Sequence, residues 1–334
     1  MTMKLDETFM HFLLEHQRRN NRTQNFLILM ESILTAARQI DYRYRSGALQ
    51  QNLGEAGQTN VQGENVMQLD LMAHQIVLHY LTESNQVIEA TSEEVEAAIP
   101  LNKDGRYIVY FDPLDGSSNI KHSLPVGFLF GIVKRNLEGD EDCHLRAGKD
   151  FIAAGMFLIP SGMFTFALRG AGAWRFLMDE TGVYVRPARL LFPEKKKTWE
   201  LSWNASNRAT FNVEVRRWLE RQEQGLSFRY AGSLVVDFHR LLHNGGMFCY
   251  PAILNDPNPE KNRPDGKLRL LYEGAVVAFI AKEAGGFAVN EDGEEVLGVE
   301  PKKRHERTAL YVGNAELVRD IGHVLRSEAA KRKS

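Results

Sequence analysis

The stretch FDPLDGSSN at residues 111–119 follows the apolar run YIVY and places two aspartates at the end of a predicted strand. Asp112 comes directly after the strand predicted at 107–111, and Asp115 immediately precedes Gly116. Pro, Asp, Gly, Ser and Asn are all common in turns, so an ordinary acidic turn explains the composition. The order of the residues instead favours a cation site beside a phosphate site, because successive N–H groups after a glycine can bind an anion. A phosphate next to Asp115 is repelled unless a cation lies between them, so the stretch predicts both ligands or neither.

The composition indicates a globular protein and argues against several other classes. The 334 residues are 43% hydrophobic and 25% charged with a net charge of −2, so no basic field favours nucleic acid or anionic lipid. No apolar run reaches the roughly 18 residues that a membrane helix needs. The N-terminal stretch carries acids and no apolar run, so we expect no signal peptide. Two cysteines, Cys143 and Cys249, are too few for a disulfide framework, and we predict a cytoplasmic location.

Apolar periodicity divides the chain into predicted helices and short strands. Helices are predicted at 23–45, 65–84, 211–222, 233–244 and 274–286. Strands are predicted at 107–111, 127–135, 151–159, 163–169 and 183–190. The stretch 50–63 is rich in glycine and amides and predicts a mobile loop. Helices and strands that mix without strict alternation favour a layered α/β or α+β fold. The charged run EKKK at 194–197 suggests a seam between an N-terminal half, 1–197, and a C-terminal half, 198–334.

Charged side chains stand where a cation and a phosphate need them. Asp112 follows one apolar run and Glu273 follows another, LRLLY, at the start of a predicted helix. Mg²⁺ takes oxygen ligands of this kind and usually shares them with a substrate phosphate. Lys267 and Arg269 alternate in GKLRLLYE, so on a strand they share one face as candidate phosphate contacts.

Two other kinds of site are not favoured by the sequence. His239 and His243 are spaced i, i+4 on a predicted helix, but no third ligand is evident, so we expect no zinc site. Ser117 and Ser118 have no apparent histidine base, so the sequence does not predict nucleophilic serine chemistry.

FDPLDGSSN, with the pair Glu93–Glu94 upstream, resembles the motif of the lithium-sensitive, metal-dependent phosphatase superfamily, which includes the inositol monophosphatases and bisphosphate nucleotidases. The stretches NVQGENVMQLD, RYAGSLVVDFHR, GKLRLLYE and VGN narrow the resemblance to the class I fructose-1,6-bisphosphatases of bacterial type. It runs from about residue 60 to residue 314 and implies an α/β fold, with mixed sheets and helices layered as α-β-α-β-α. An inositol phosphatase or nucleotidase is less favoured, because neither family requires GKLRLLYE or RYAGS.

The resemblance implies hydrolysis of the 1-phosphate of fructose 1,6-bisphosphate by direct attack of metal-activated water. The expected ligands of two or three Mg²⁺ ions, or of Mn²⁺ as a substitute, are Glu93, Asp112, the carbonyl of Leu114, Asp115, Glu273 and, on a mobile loop, Glu64. Glu94 and Asp70 are expected to orient and deprotonate the attacking water. The expected 1-phosphate contacts are Asp115 and the backbone of Gly116, Ser117 and Ser118. The expected 6-phosphate and sugar contacts are Asn204, Arg229, Tyr230, Tyr250, Lys267 and Arg269.

The resemblance also implies a homotetramer in which Arg229 reaches the active site of a neighbouring subunit. Gluconeogenesis and a carbon-fixation cycle both remain open as the pathway. Two alternatives remain open as well: a broader sugar bisphosphatase that also acts on sedoheptulose 1,7-bisphosphate, and a non-catalytic sugar-phosphate sensor. Asn207 stands where the family has a tyrosine, which puts one 6-phosphate hydrogen bond in question.

The AMP-binding pattern of the family is altered in this sequence. Residues 23–25 read Thr-Gln-Asn in place of Thr-Gly-Glu. Arg106 and Lys134 stand where a lysine and an arginine are expected, whereas Tyr107 is retained. A guanidinium and an ammonium group are not interchangeable at a bidentate phosphate contact, so we predict weak or absent inhibition by AMP.

Overall fold

The computed structural model describes residues 7–20, 24–50, 55–59, 65–135, 145–194, 197 and 199–333. The α-helices in these ranges are α1 (Phe9–Asn20), α2 (Gln24–Gln50), α3 (Gln68–Ser84), α4 (Val213–Glu223), α5 (Leu234–Asn244), α6 (Ala275–Glu283) and α7 (Ala315–Lys333). None of the helices in the described ranges is long and apolar enough to cross a membrane.

In the described ranges the strands form one large sheet, one smaller sheet and two short ladders. The strands are β1 (Glu55–Thr59), β2 (Asn65–Met67), β3 (Val87–Ser92), β4 (Ile99–Pro100), β5 (Tyr107–Asp115), β6 (Val126–Lys134), β7 (Phe151–Ile159), β8 (Met163–Leu168), β9 (Gly172–Met178), β10 (Tyr184–Leu190), β11 (Glu200–Ser202), β12 (Ser227–Phe228), β13 (Gly246–Tyr250), β14 (Leu268–Arg269), β15 (Gly286–Val289), β16 (Arg307–Thr308) and β17 (Leu310–Asn314). The large sheet has the order β10-β9-β8-β7-β6-β5-β3-β4, and the smaller sheet has the order β12-β11-β13-β17-β15. Both sheets are mixed, because β3 and β5 pair in parallel, as do β11 and its two neighbours.

The elements stack as alternating layers of helix and sheet. Helices α1, α2 and α3 pack on one face of the large sheet, in a core that includes Phe26 and Val77. Helices α5 and α6 lie between the two sheets and share a core with both, around Phe238 and Val276. Helices α4 and α7 cover the outer face of the smaller sheet, where Trp218 is fully buried. The α/β fold with mixed sheets that the resemblance implied is therefore confirmed.

The layering explains the apolar runs in the sequence. Strand β6, VGFLFGIVK, is buried along all but its last residue, because helices cover both faces of its sheet. The first seven residues of α6, AVVAFIA, are buried on every side, since this helix lies between two sheets.

Several predicted boundaries were wrong. Strand β5 continues to Asp115 and does not end at Phe111, because its pairing with β6 persists through the acidic stretch. Residues 65–67 form a strand ahead of α3, and residues 55–59 pair with them, so the predicted loop at 50–63 is not a loop throughout. The rest of that loop, apart from Gln50 in α2, lies outside the described residues. The sequence analysis did not predict β3, β9 or any strand of the smaller sheet. Most strands of the smaller sheet are too short to show an apolar period.

The predicted seam falls in the connection between the two sheets. Strand β10 ends at Leu190 in the large sheet, and β11 begins at Glu200 in the smaller one. Helices α5 and α6 of the C-terminal half nevertheless share a core with the large sheet, so the division into 1–197 and 198–334 stays a prediction.

Candidate functional site

Strand β5 carries Asp112 and Asp115, and an irregularity in its pairing aims both at one place. Side chains alternate along a regular strand, so residues three apart would face opposite sides of the sheet. Here Asp112 pairs with Leu129 and Asp115 pairs with Gly127, so β5 has one residue more than β6 between the two pairs. Such a bulge re-aims side chains and accommodates Pro113, which has no N–H to donate. Both aspartates consequently line the same cavity.

Glu273 lies in a π-helical turn, Leu270–Gly274, that leads into α6. The predicted regular helix from residue 274 is therefore preceded by a wider turn, a feature that is frequent at functional sites. The backbone N–H of Arg269 donates to Oε2 of Glu273 at 2.5 Å and fixes the carboxylate beside the amino end of α6.

Asp112, Asp115 and Glu273 form a buried carboxylate cluster. Each offers one oxygen that lies within 4.8 Å of the oxygens of the other two. Burial raises the pKa of Asp112 well above its ordinary value, and the nearby carboxylates, Glu93 first among them, raise it further. Burial and then the charge of Glu93 raise the pKa of Glu273 to about 8, although Arg269 opposes the shift. Buried carboxylates this close are stabilised by a divalent cation or by protons.

The chemistry of the cluster fits the predicted metal. All three groups offer hard oxygen atoms, which suit Mg²⁺ or Mn²⁺ and not the softer metals that take thiolate. Glu93 extends this acidic region, and its Oε1 lies 3.1 Å from Nη2 of Arg269, whose side chain is only 3% exposed. Asp70, in the first turn of α3, and Glu94 line the same cavity.

The backbone at 116–118 is held between β5 and the start of α5. Gly116 has φ 78° and ψ 30°, in the left-handed region that favours glycine. A Cβ at this position would lie 2.6 Å from Cβ of Ser233. Ser233 donates its hydroxyl to Oδ2 of Asp115 at 2.6 Å, and the N–H of Val235 donates to the same oxygen at 3.0 Å. Residues 117–122 then form a short 3₁₀-helix, whose first N–H groups have no acceptor within the helix.

One cavity of about 560 Å³ brings the acidic and the phosphate-binding candidates together. The predicted residues that line it are Asp70, Glu93, Glu94, Asp112, Leu114, Asp115, Gly116, Ser117, Ser118, Tyr230, Tyr250, Lys267, Arg269 and Glu273. The positive charge of Lys267 opposes the increase that burial causes in the pKa of Asp115, so charges of opposite sign act across the cavity. Burial raises the pKa of Tyr230, which keeps its phenol a neutral hydrogen-bond donor at ordinary pH.

Three predicted residues are not among those that line the cavity. Asn204 caps a 3₁₀-helix at 205–210 and accepts a hydrogen bond from the N–H of Ser206 at 3.1 Å. Arg229 is exposed and donates to the carbonyl of Phe228 at 2.7 Å. Glu64 lies outside the described residues. Their proposed roles stay predictions.

Seven residues that line the cavity were not predicted from the sequence, and three of them have polar side chains, namely Lys121, His122 and Ser233. Ser233 begins the helix predicted at 233–244, and in the structure it caps α5, where its hydroxyl oxygen accepts from the N–H of Val236 at 3.4 Å. The basic pair at 121–122 follows within one helical turn of the predicted phosphate contacts, and that proximity was the signal available.

The AMP-related residues lie away from this cavity. Tyr107 and Lys134 are direct partners across β5 and β6, and the side chain of Arg106 is exposed. Thr23 lies outside the described residues. The expected weakness of AMP inhibition stays a prediction.

Two family models together match nearly the whole chain. The model of the fructose-1-6-bisphosphatase N-terminal domain matches residues 7–187, and that of the C-terminal domain matches residues 192–326. The chain belongs to the fructose-1,6-bisphosphatase family. The resemblance seen in the motifs is confirmed, as is the prediction of an enzyme of the phosphoric monoester hydrolase class.

Relatives and a solved structure of this family match over nearly their full length. A class 1 fructose-1,6-bisphosphatase of Syntrophus aciditrophicus is 55% identical over 332 residues, which cover 98% of this chain and 100% of that protein. Fructose-1,6-bisphosphatase 1 of Mus musculus is 33% identical over 335 residues, which cover 97% of this chain and 96% of that protein. The holo crystal structure of Leishmania major fructose-1,6-bisphosphatase has a TM-score of 0.87 at 29% identity, covering 97% of this chain and 100% of that one.

Proposed function

We propose that this enzyme removes the 1-phosphate of fructose 1,6-bisphosphate by Mg²⁺-dependent, direct attack of water, releasing fructose 6-phosphate and phosphate. The observation that carries the proposal is the single cavity that joins a buried carboxylate cluster to Lys267, Tyr230 and Tyr250. A substrate with a phosphate at each end matches a cavity that has cation ligands on one side and cationic or phenolic donors on the other.

The carboxylate side of the cavity supports the proposed metal requirement. Asp112, Asp115 and Glu273 are the proposed ligands from this cluster, together with Glu93 and the carbonyl of Leu114. Mg²⁺ supplies polarisation of the phosphoryl oxygens and lowers the pKa of water. The amides at 116–118 are proposed to bind the 1-phosphate, and their position beside Asp115 requires the charge of that carboxylate to be neutralised.

The remaining residues position the water and the sugar. Asp70 and Glu94 are proposed to orient the attacking water and to accept its proton. The proposal is supported because both residues line the cavity. Lys267, with Tyr230 and Tyr250, is proposed to bind the 6-phosphate and the sugar, so that the 1-phosphate is held at the metal side.

We also propose a cytoplasmic homotetramer in which Arg229 completes the 6-phosphate site of a neighbouring subunit. The exposure of Arg229, outside the cavity of its own chain, supports this assignment. Sedimentation of the purified chain tests whether it forms a tetramer. If it does, Arg229→Ala should raise KM for the bisphosphate with little change in kcat.

Phosphate release from a panel of sugar bisphosphates, with and without Mg²⁺, tests the proposed reaction. We expect turnover of fructose 1,6-bisphosphate only with the metal, and a loss of about 10³-fold or more in Asp115→Asn. Asp41→Asn is the matched control, since Asp41 is also a buried aspartate, 3% exposed, but does not line the cavity.

Three results would contradict parts of the proposal. Full activity in Asp115→Asn would refute the site assignment. Equal turnover of sedoheptulose 1,7-bisphosphate would favour the broader bisphosphatase. No release from any substrate by the folded protein would favour a sugar-phosphate sensor.

A further inference from the structure

His305 is a buried imidazole that joins two segments of the metal side. The residue is 8% exposed, and its Nδ1 lies 2.7 Å from the hydroxyl of Tyr272. Its Nε2 lies 3.0 Å from the carbonyl oxygen of Val95 and 3.3 Å from that of Glu96. Neither the composition nor the motifs of the sequence had marked this histidine.

The hydrogen-bond partners of His305 determine which ring nitrogen carries the proton. Carbonyl oxygens only accept hydrogen bonds, so Nε2 must carry the proton and donate to Val95. In the neutral ring Nδ1 then accepts from the hydroxyl of Tyr272. The ring is thus held at both nitrogens and has no freedom to rotate without losing a buried hydrogen bond.

The hydrogen-bond partners Val95 and Tyr272 of His305 are close in sequence to carboxylates of the site. Val95 follows Glu93 and Glu94 in the turn after β3, and Tyr272 precedes Glu273 in the π-helical turn. The backbone strengthens the connection, because the carbonyl of Glu306, next to His305, accepts from the N–H of Leu270 at 2.7 Å. One side chain therefore connects the turn that carries Glu93 to the turn that carries Glu273.

We propose that His305 is a positioning residue that sets the separation of Glu93 and Glu273 and so determines how well the site binds Mg²⁺. His305 itself does not line the cavity. The inference rests on the proposed function, because it assumes that Mg²⁺ binds at these carboxylates.

Mg²⁺ titration of the metal-free protein by calorimetry tests this role without using activity. His305→Phe fills the same space without either hydrogen bond, and we expect its Kd for Mg²⁺ to rise about 10–100-fold, as when groups that orient metal ligands are lost. His305→Gln retains an amide N–H near the place of Nε2 and should restore part of the affinity. In kinetics, the Mg²⁺ concentration for half-maximal activity should rise and kcat should fall, with KM for the bisphosphate unchanged.

Two tyrosine variants distinguish an effect on the positions of the metal ligands from an effect on the stability of the fold. Tyr272→Phe removes the hydroxyl that bonds His305 and should weaken Mg²⁺ binding. Tyr311→Phe removes a hydroxyl that donates to Glu291 at 2.8 Å outside the cavity, and should lower Tm without changing Kd for Mg²⁺.

The outcomes are distinguishable. Wild-type Mg²⁺ affinity in His305→Phe, even with a lowered Tm, would overturn the inference and leave the proposed function intact. If His305→Phe does not fold, equal Mg²⁺ affinity in the two tyrosine variants would overturn it. Absence of Mg²⁺ binding by the wild-type protein would overturn both proposals.

Discussion

Two buried glutamates, Glu273 and Glu291, show how burial alone differs from a functional cluster. Burial is the main cause that raises the pKa of each, to about 8 for Glu273 and to about 7 for Glu291. The neighbours differ, because Glu93 and Asp115 raise the pKa of Glu273 further. Both carboxylates accept hydrogen bonds that lower the pKa. Glu273 accepts from the N–H of Arg269 at 2.5 Å, and Glu291 accepts from the hydroxyl of Tyr311 at 2.8 Å and the N–H of Ala252 at 3.1 Å.

The comparison teaches that the neighbours, more than the size of the shift, distinguish the two sites. Glu291 has protein donors that satisfy one carboxylate oxygen, so it can remain buried without another ligand. Glu273 lies within 4.8 Å of two more carboxylates, and a protein does not normally bury such a group without a cation or protons. The matched substitutions Glu273→Gln and Glu291→Gln therefore form a test of this difference.

The largest expected difference is in catalysis. Glu273→Gln removes a proposed metal ligand, and kcat/KM for fructose 1,6-bisphosphate should fall by about 10³-fold or more. Glu291→Gln keeps an acceptor oxygen for Tyr311 and should change kcat/KM by less than about 3-fold. Steady-state kinetics at saturating Mg²⁺ measure both. Comparable losses in the two variants would mean that burial, and not the cluster, accounts for the effect of Glu273.

A smaller difference is expected in stabilisation by the metal. A ligand that binds only the folded state at one hundred times its Kd adds about 2.7 kcal/mol to the free energy of unfolding. Mg²⁺ should therefore raise Tm of the wild-type protein and of Glu291→Gln, but not of Glu273→Gln. Thermal unfolding followed by circular dichroism, with and without Mg²⁺, measures this. An equal rise in Glu273→Gln would place the ion elsewhere.

Much of this site was predictable from the sequence because the chemistry is concentrated in short motifs. FDPLDGSSN and GKLRLLYE named the aspartates, Glu273 and Lys267, which do line one cavity. The bulge that aims Asp112 and Asp115 the same way was not predictable, since it depends on the register between β5 and β6.

Other features depend on contacts that are distant in the sequence. Ser233 bonds Asp115 from 118 residues away, and no local pattern encodes such a contact. The smaller sheet was missed for a similar reason, because strands of two to five residues acquire their conformation from neighbours and not from their own periodicity. His305 lies 210 residues from Val95, so its role emerges only once the layers are assembled.

The smallest expected difference is in the pH dependence of stability. A carboxyl group whose pKa is raised in the folded state binds more protons there than in the unfolded chain, so stability falls as pH rises. For Glu273 this decline should extend from its ordinary pKa of 4.5 to about 8, with a slope of at most about 1.4 kcal/mol per pH unit. For Glu291 it should extend from 4.5 to about 7.

Urea unfolding of the metal-free proteins across this pH range measures both slopes. Glu273→Gln and Glu291→Gln should each flatten part of the decline, because neither amide titrates. Excess Mg²⁺ replaces the protons of the cluster, so it should abolish the part due to Glu273 and leave the part due to Glu291 unchanged. If Mg²⁺ removes both parts, or neither, the two glutamates do not differ in the way that their neighbours indicate.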